Sequence, residues 1–175
     1  MRLKKNAITT VSLLLAISSN AFGGDILLSY TPMNKIDYVA QTNNIGLEIG
    51  HYKNRDKQGF GFGWRLAVTK PTDQAWFDGG TGEVGVAPGY TIIEDLDVKV
   101  EAGVGLHSYN SVDVAFGGYV GGEVTYAAWG HMVLGVAVRQ WFMNAQVKTV
   151  EDVNGNDLQY SYNDLRTTAY LGYRF

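Results

Sequence analysis

Nine ionisable residues recur at alternate positions of otherwise apolar or glycine-rich stretches: Glu48, Arg65, Glu83, Lys99, Glu101, Glu123, Arg139, Arg166 and Arg174. Both signs are represented, and sign tends to alternate from one stretch to the next. Buried charges require partners, so the chemistry that suits this set is an internal ion-pair network. A second candidate is nucleophilic. His107-Ser108 is followed by Asn110 and Ser111, with Glu123 the nearest downstream Glu. A Ser–His–acid set needs all three groups within hydrogen-bond reach, whereas Glu123 falls on a different stretch and is expected to face inward, low in the structure. His51 and His131 lie near segment ends with no convergent partners and read as interfacial polar residues. No His/Asp/Glu cluster has metal-ligand spacing. The GFGFG run at 59–63 and the GVG run at 103–105 do not open a helix, so they are not phosphate cradles. No cofactor and no metal is expected.

These residues must be positioned by strands. Leu165 to Phe175 alternates without a break, with Leu165, Thr167, Ala169, Leu171, Tyr173 and Phe175 on one face, and it is about as long as a tilted bilayer-spanning strand. Seven further alternating segments precede it: 25–35 (interrupted by Pro32), 43–53, 58–70, 81–93, 97–108, 113–127 and 131–143. No helical period competes with them. The connections alternate. Those at 54–57, 94–96 and 128–130 are tight; those at 36–42, 71–80, 109–112 and 144–163 are longer or more polar. The last carries a turn signal at Asn154-Gly155 and suits a hairpin extension. Phe116 and Tyr126 bracket the apolar face of the sixth segment, which corresponds to a band roughly 25 Å tall at a barrel tilt. Tyr126, Trp129 and Tyr173, with Phe175, are expected to form a lower aromatic girdle, and Trp76, Phe77, Phe116 and Phe142 an upper one.

Arg2, Lys4 and Lys5, the apolar run 7–17 and the small-x-small site Ser19-Asn20-Ala21 read as a secretory signal peptide over 1–21, with cleavage after Gly23 as the alternative. One domain over 24–175 follows. The chain has no Cys, hence no lipoprotein anchor and no disulfide framework. Its net charge of −3 excludes a basic nucleic-acid footprint. It holds 22 Gly against 3 Pro. Glycine weakens a strand but suits the inner face of a narrow closed barrel. After the signal no apolar run reaches the length of a spanning helix. If the chain enters a membrane it must do so as a closed barrel, because only helices and barrels satisfy every backbone group in lipid.

The expectation is therefore all-β: an eight-stranded antiparallel up-and-down transmembrane barrel, with short periplasmic turns and longer extracellular loops. The charged face then turns inward and fills the lumen, Glu48, Glu101 and Glu123 lying low near Lys99 and Arg174, and Arg65, Glu83, Arg139 and Arg166 higher. The layout resembles the small outer-membrane barrels of the OmpA transmembrane-domain and OmpX class. Tyr173 and Phe175 resemble the carboxy-terminal signal read by the barrel assembly machinery, although Tyr170 stands where that signal often has Gly, with Gly172 two positions on. His107-Ser108 only approaches the His-x-Ser-Asn arrangement of outer-membrane lipid A deacylases. The resemblance implies a non-enzymatic outer-membrane protein with a structural or surface-interaction role. Its expected partners are outer-membrane lipid and lipopolysaccharide, the assembly machinery during biogenesis, and an extracellular ligand met through 144–163. A narrow porin-like channel and a lipid A-modifying enzyme are the alternatives.

Overall fold

The computed structural model describes residues 24–32, 43–52, 58–72, 79–108, 114–151 and 153–175. Eight strands run through them: β1 (Asp25–Thr31), β2 (Asn44–Tyr52), β3 (Gly59–Pro71), β4 (Gly80–Ile93), β5 (Leu96–Ser108), β6 (Val114–Ala128), β7 (Met132–Glu151) and β8 (Asp157–Arg174). Each pairs antiparallel with its sequence neighbour. β1 pairs with β8 from Asp25↔Arg174 to Tyr30↔Ala169, which closes the sheet into a barrel. Closure leaves no open edge around the wall where β1 and β8 meet, and inward and outward side chains must alternate along every strand. The burial pattern follows that rule from β1 to β8.

The first six strands begin or end within about one residue of the alternating segments wherever both ends are described. The first ends at Thr31; its expected continuation over 33–35 lies outside the described residues. The proposed signal peptide, 1–21, also lies outside them. The last two strands are longer than their alternating segments. β7 runs on to Glu151 and β8 starts at Asp157, so 144–163 forms the expected hairpin extension as a continuation of the β7–β8 ladder, with Asn144 opposite Ser161 and Val147 opposite Leu158. Polar residues on its outward face mask the period-two signal there, yet the backbone pairing continues. The reversal falls at the Asn154-Gly155 signal, where Gly155 takes a positive φ of 80° that side chains disfavour.

At the opposite end, β4 and β5 are joined through Glu94-Asp95, and β6 and β7 through Trp129-Gly130-His131. Trp129 and Gly130 both adopt positive φ (47° and 82°), which lets the chain reverse in so few residues. One interruption falls in mid-wall. The β4–β5 ladder skips Ala87 and Pro88 opposite Glu101 and Val100, because Pro88 has no N–H to give to β5.

Candidate functional site: the charged interior and the aromatic outer wall

All nine charged residues singled out above are buried inside the barrel. Ladder register decides many of their contacts. Lys99 and Glu123 are directly opposite on β5 and β6, and their side chains meet at 2.7 Å. Glu101 of β5 and Arg139 of β7 lie in the same row with Gly121 of β6 between them. A side chain at Gly121 would meet the Arg139 stem at 2.9 Å; its absence lets Arg139 cross to Glu101, Nε to Oε2 2.5 Å. Arg139 also lies 3.7 Å from Glu48 and 3.6 Å from Glu123. Arg65 joins three carboxylates, Glu48 at 2.8 Å, Glu83 at 3.2 Å and Glu101 at 3.2 Å. Arg166 continues the chain upward, to Glu83 at 3.8 Å and Asp164 at 2.5 Å.

Arg174 stands apart. It meets neither Glu48, Glu101 nor Glu123. It forms a forked pair with Asp25, its register partner across the β1–β8 seam, at 2.9 and 3.2 Å, and reaches Asp97 at 3.0 Å. Glu48 and Glu101 likewise do not sit low beside Arg174; they lie at mid-height between Arg65 and Arg139. Strand stagger is the reason: residues equally far from their strand ends are displaced along the barrel axis when the strands tilt. Asp25, Asp97 and Asp164 are the members that sequence reasoning passed over. Asp97 shares the parity of Lys99 and Glu101, and Asp164 that of Arg166, so strand parity was a usable signal. Among the described residues five buried cations therefore face seven buried carboxylates.

Above the ions the filling becomes aromatic. Trp141 (0% exposed), Tyr119, Met143 and Tyr162 cluster with Ala115 and Ala145. Tyr119 and Trp141 rings lie 4.5 Å apart, and the Arg166 guanidinium sits 4.9 Å from the Trp141 ring, a cation–π distance. Wall glycines make room for them. A Cβ on Gly103 would come within 2.5 Å of the Tyr119 ring, and one on Gly105 within 2.8 Å of the Trp141 ring. Two small cavities lie among the described residues. A cavity of about 30 Å³ lies below, beside Lys99, Glu101 and Glu123, and one of about 10 Å³ above, beside Glu83, Arg166 and Trp141.

His107 belongs to this filling. It is 2% exposed, its Nδ1 accepts a hydrogen bond from Arg166 Nη2 at 2.8 Å, and its ring packs edge-on to Trp141. Ser108, the next residue along the strand, projects to the other side of the wall. Glu123 is occupied by Lys99. His131 stacks on Tyr173 and its Nδ1 lies 2.9 Å from the Arg174 carbonyl oxygen; no candidate metal cluster occurs among the described residues.

The outer wall is apolar. Leu28, Leu66, Val84, Val100, Val120, Val136 and Leu171 project from it. Of the girdle candidates, Phe116 and Phe142 are exposed toward the end that carries the β7–β8 hairpin. Tyr126, Trp129 (84% exposed), Tyr173 and Phe175 are exposed at the other. Trp76 and Phe77 lie outside the described residues. Phe60 (79% exposed), Phe62, Trp64 and Tyr90 add to the lower group, Phe60 and Tyr90 packing edge-on at 4.9 Å. Their closeness to the 53–58 connection was the signal that places them near a rim.

Polarity changes sides at Phe142. Below it, β7 points Leu134, Val136, Val138 and Phe142 outward and Arg139 inward, the one polar outward residue, half-buried Gln140, giving its amide to the Trp141 and Asp164 carbonyls; above it, Asn144 and Gln146 point outward while Met143 and Ala145 are buried. β8 repeats the change: Leu165 and Leu171 project outward below, Gln159, Ser161 and Asn163 above, with Tyr162 buried on the other side. The backbone continues through this level without a break in register.

The fold is thus that of a small closed eight-stranded antiparallel β-barrel with a charged interior and an apolar exterior. Among solved structures it matches Ail, the attachment invasion locus protein of Yersinia pestis, with a TM-score of 0.52 over 89% of this chain and 100% of that one, at 13% identity. At that identity the likeness speaks for the fold. No protein-family model matches the sequence, and no curated protein does.

Proposed function

We propose that the chain is an integral outer-membrane β-barrel with a structural or surface-interaction role and a lumen packed shut by side chains. The observation that carries this reading is the switch of polarity at Phe142. Water on one side and hydrocarbon on the other is the arrangement that asks a single ladder to exchange its polar and apolar faces partway along its length. Below the switch an exposed Val or Leu costs roughly 25 cal/mol per Å² in water and nothing in lipid, whereas a charge on that wall at mid-depth would cost ~2–4 kcal/mol. The wall carries the former and the interior the latter. A water-soluble ligand-carrying barrel would need the inverse, an apolar cavity and a polar exterior.

Catalysis is disfavoured because His107 is enclosed, with Arg166 on its Nδ1 and Ser108 on the other side of the wall. A channel is disfavoured because the ionic layer of Arg65, Arg139, Glu48 and Glu101 separates two cavities that are no larger than a water molecule or two. In this reading residues 1–21 export the chain, Tyr173 and Phe175 present outward aromatics to the assembly machinery, and the β7–β8 hairpin faces the exterior. The test is refolding of the mature chain in detergent followed by gel electrophoresis in SDS, with and without boiling. A faster-migrating unboiled band is expected from an SDS-resistant closed barrel; a detergent-independent fold with no mobility difference would overturn the membrane reading.

A further inference from the structure

A donor and an acceptor on the apolar wall are left without partners among the described residues. The acceptor is the Val100 carbonyl. The β3–β4 ladder runs unbroken through Phe62↔Pro88, whereas the β4–β5 ladder is interrupted at Ala87 and Pro88. Pro88 therefore turns its nitrogen toward β5, and the carbonyl opposite it, that of Val100, receives no N–H. The donor is the Trp64 indole N–H. Its ring projects from the wall, and among the described residues no group accepts its hydrogen. Trp64 lies four residues beyond Phe60 along β3, about 10 Å deeper than that rim residue at a barrel tilt. In the outer-membrane reading that level is hydrocarbon, where no water replaces an unmade hydrogen bond.

The two groups are placed as a matched pair. Trp64 stands on β3 and Val100 on β5, on either side of β4. Trp64 is five residues from the start of β3 and Val100 four from the start of β5, and both strands rise from the same end of the barrel, so the two share a height. The outward side chains around them on β4, β5 and β6 are short: Val86, Pro88, Ala102 and Gly122. Resting on the outer-membrane reading, we propose that this face docks a second copy of the chain about a two-fold axis along the membrane normal. The axis passes by Val86 and Pro88. It brings Trp64 of each copy onto Val100 of the other at equal height, so that each indole N–H donates to the opposite copy's carbonyl. An isologous contact needs donor and acceptor on opposite sides of its axis, which is how β3 and β5 hold them. In lipid, apolar contact alone does not drive association; close approach of small residues and hydrogen bonds between the walls do.

The chain has no Cys, so single cysteines report the contact in phospholipid vesicles. On mild oxidation the Val86→Cys variant is expected to form a disulfide-linked dimer, and the Val136→Cys variant, on the opposite side of the barrel, to stay monomeric. Counting photobleaching steps of the labelled mature barrel then gives the dimer fraction against protein density. Trp64→Phe keeps a ring and drops the N–H; Pro88→Ala returns an N–H to the Val100 carbonyl. Each is expected to weaken the dimer roughly tenfold, since two equivalent bonds are lost. Pro88→Ala should at the same time raise the urea midpoint of the monomeric barrel, a split that general damage to the fold would not give. An inserted, heat-modifiable barrel that stays monomeric would overturn the dimer and leave the membrane reading standing. So would equal cross-linking from Val86→Cys and Val136→Cys, or either variant at Trp64 or Pro88 dimerising as tightly as the unmodified chain. A chain that does not insert would bring down the membrane reading and this inference with it.

Discussion

Arg139 bridges several charged and aromatic side chains of the interior: Glu101, Glu48 and Glu123, with Tyr119 and Tyr170. Truncating it leaves buried carboxylates uncompensated, which costs ~3–5 kcal/mol when a buried pair is broken from one side. Arg139→Ala is therefore expected to lower the urea midpoint of the barrel in lipid vesicles substantially; an unchanged midpoint would mean the interior is wetter than its burial implies. Gly103 makes a second case. Its missing side chain is the seat of the Tyr119 ring, so Gly103→Val should destabilise by ~1–3 kcal/mol through overpacking. Gly103→Val combined with Tyr119→Ala should recover part of that loss. Additive losses in the double-mutant cycle would show that the two positions do not share space. The inward parity of the nine charges was legible from the sequence because period two is a local property. Their partners were not, since Arg174 meets Asp25 only where the two ends of the chain come together.

Among the described residues the β7–β8 hairpin outgrows the barrel. β6 pairs with β7 only as far as Val114↔Gln146, whereas β7 and β8 pair on to Val147↔Leu158 and then, past a register shift, Glu151↔Asp157. The ladder below that tip makes its own backbone hydrogen bonds, so the tip adds reach and little to barrel closure. Replacing 148–157 by Asn-Gly, a two-residue turn suited to joining Val147 to Leu158, should leave the heat-modifiable mobility unchanged. Loss of the mobility shift would show that the tip is needed for assembly. Sequence pattern located this turn at Asn154-Gly155 but not the length of the strands leading to it. Outward Asn, Gln and Ser on one face and Met, Ala and Tyr on the other still alternate, with the opposite sense to the strand below. A reader following a fixed apolar face loses the strand at Phe142.

Taken whole, the molecule has two stacked fillings, ions at mid-height and aromatics above, inside a wall that is apolar outside. Among the described residues the ionic layer of Arg65, Arg139, Glu48 and Glu101 lies between the two small cavities. Purified barrel in planar bilayers is expected to give no steady conductance, and Arg139→Ala, which removes the side chain bridging Glu48, Glu101 and Glu123, should be the variant in which conductance first appears. Steady ohmic steps from the unmodified protein would favour the channel reading over the packed one. If the chain inserts as proposed, the aromatic rims set the other whole-molecule property, the height of the lipid band, and among the described residues the lower rim is the heavier because Phe60, Phe62, Trp64 and Tyr90 join Tyr126, Trp129 and Tyr173.

Strand number, the face each residue takes and the class of fold were determined by the sequence itself. Each strand writes its own parity in alternate residue types, and tight turns such as Trp129-Gly130 are short-range. Which charge meets which, how β1 meets β8, why Gly103 and Gly121 must be bare, and where the β7–β8 ladder changes its polar side were decided only by the tertiary structure. These depend on the stagger between tilted strands and on side chains reaching across intervening strands, distances that no local pattern along the chain encodes.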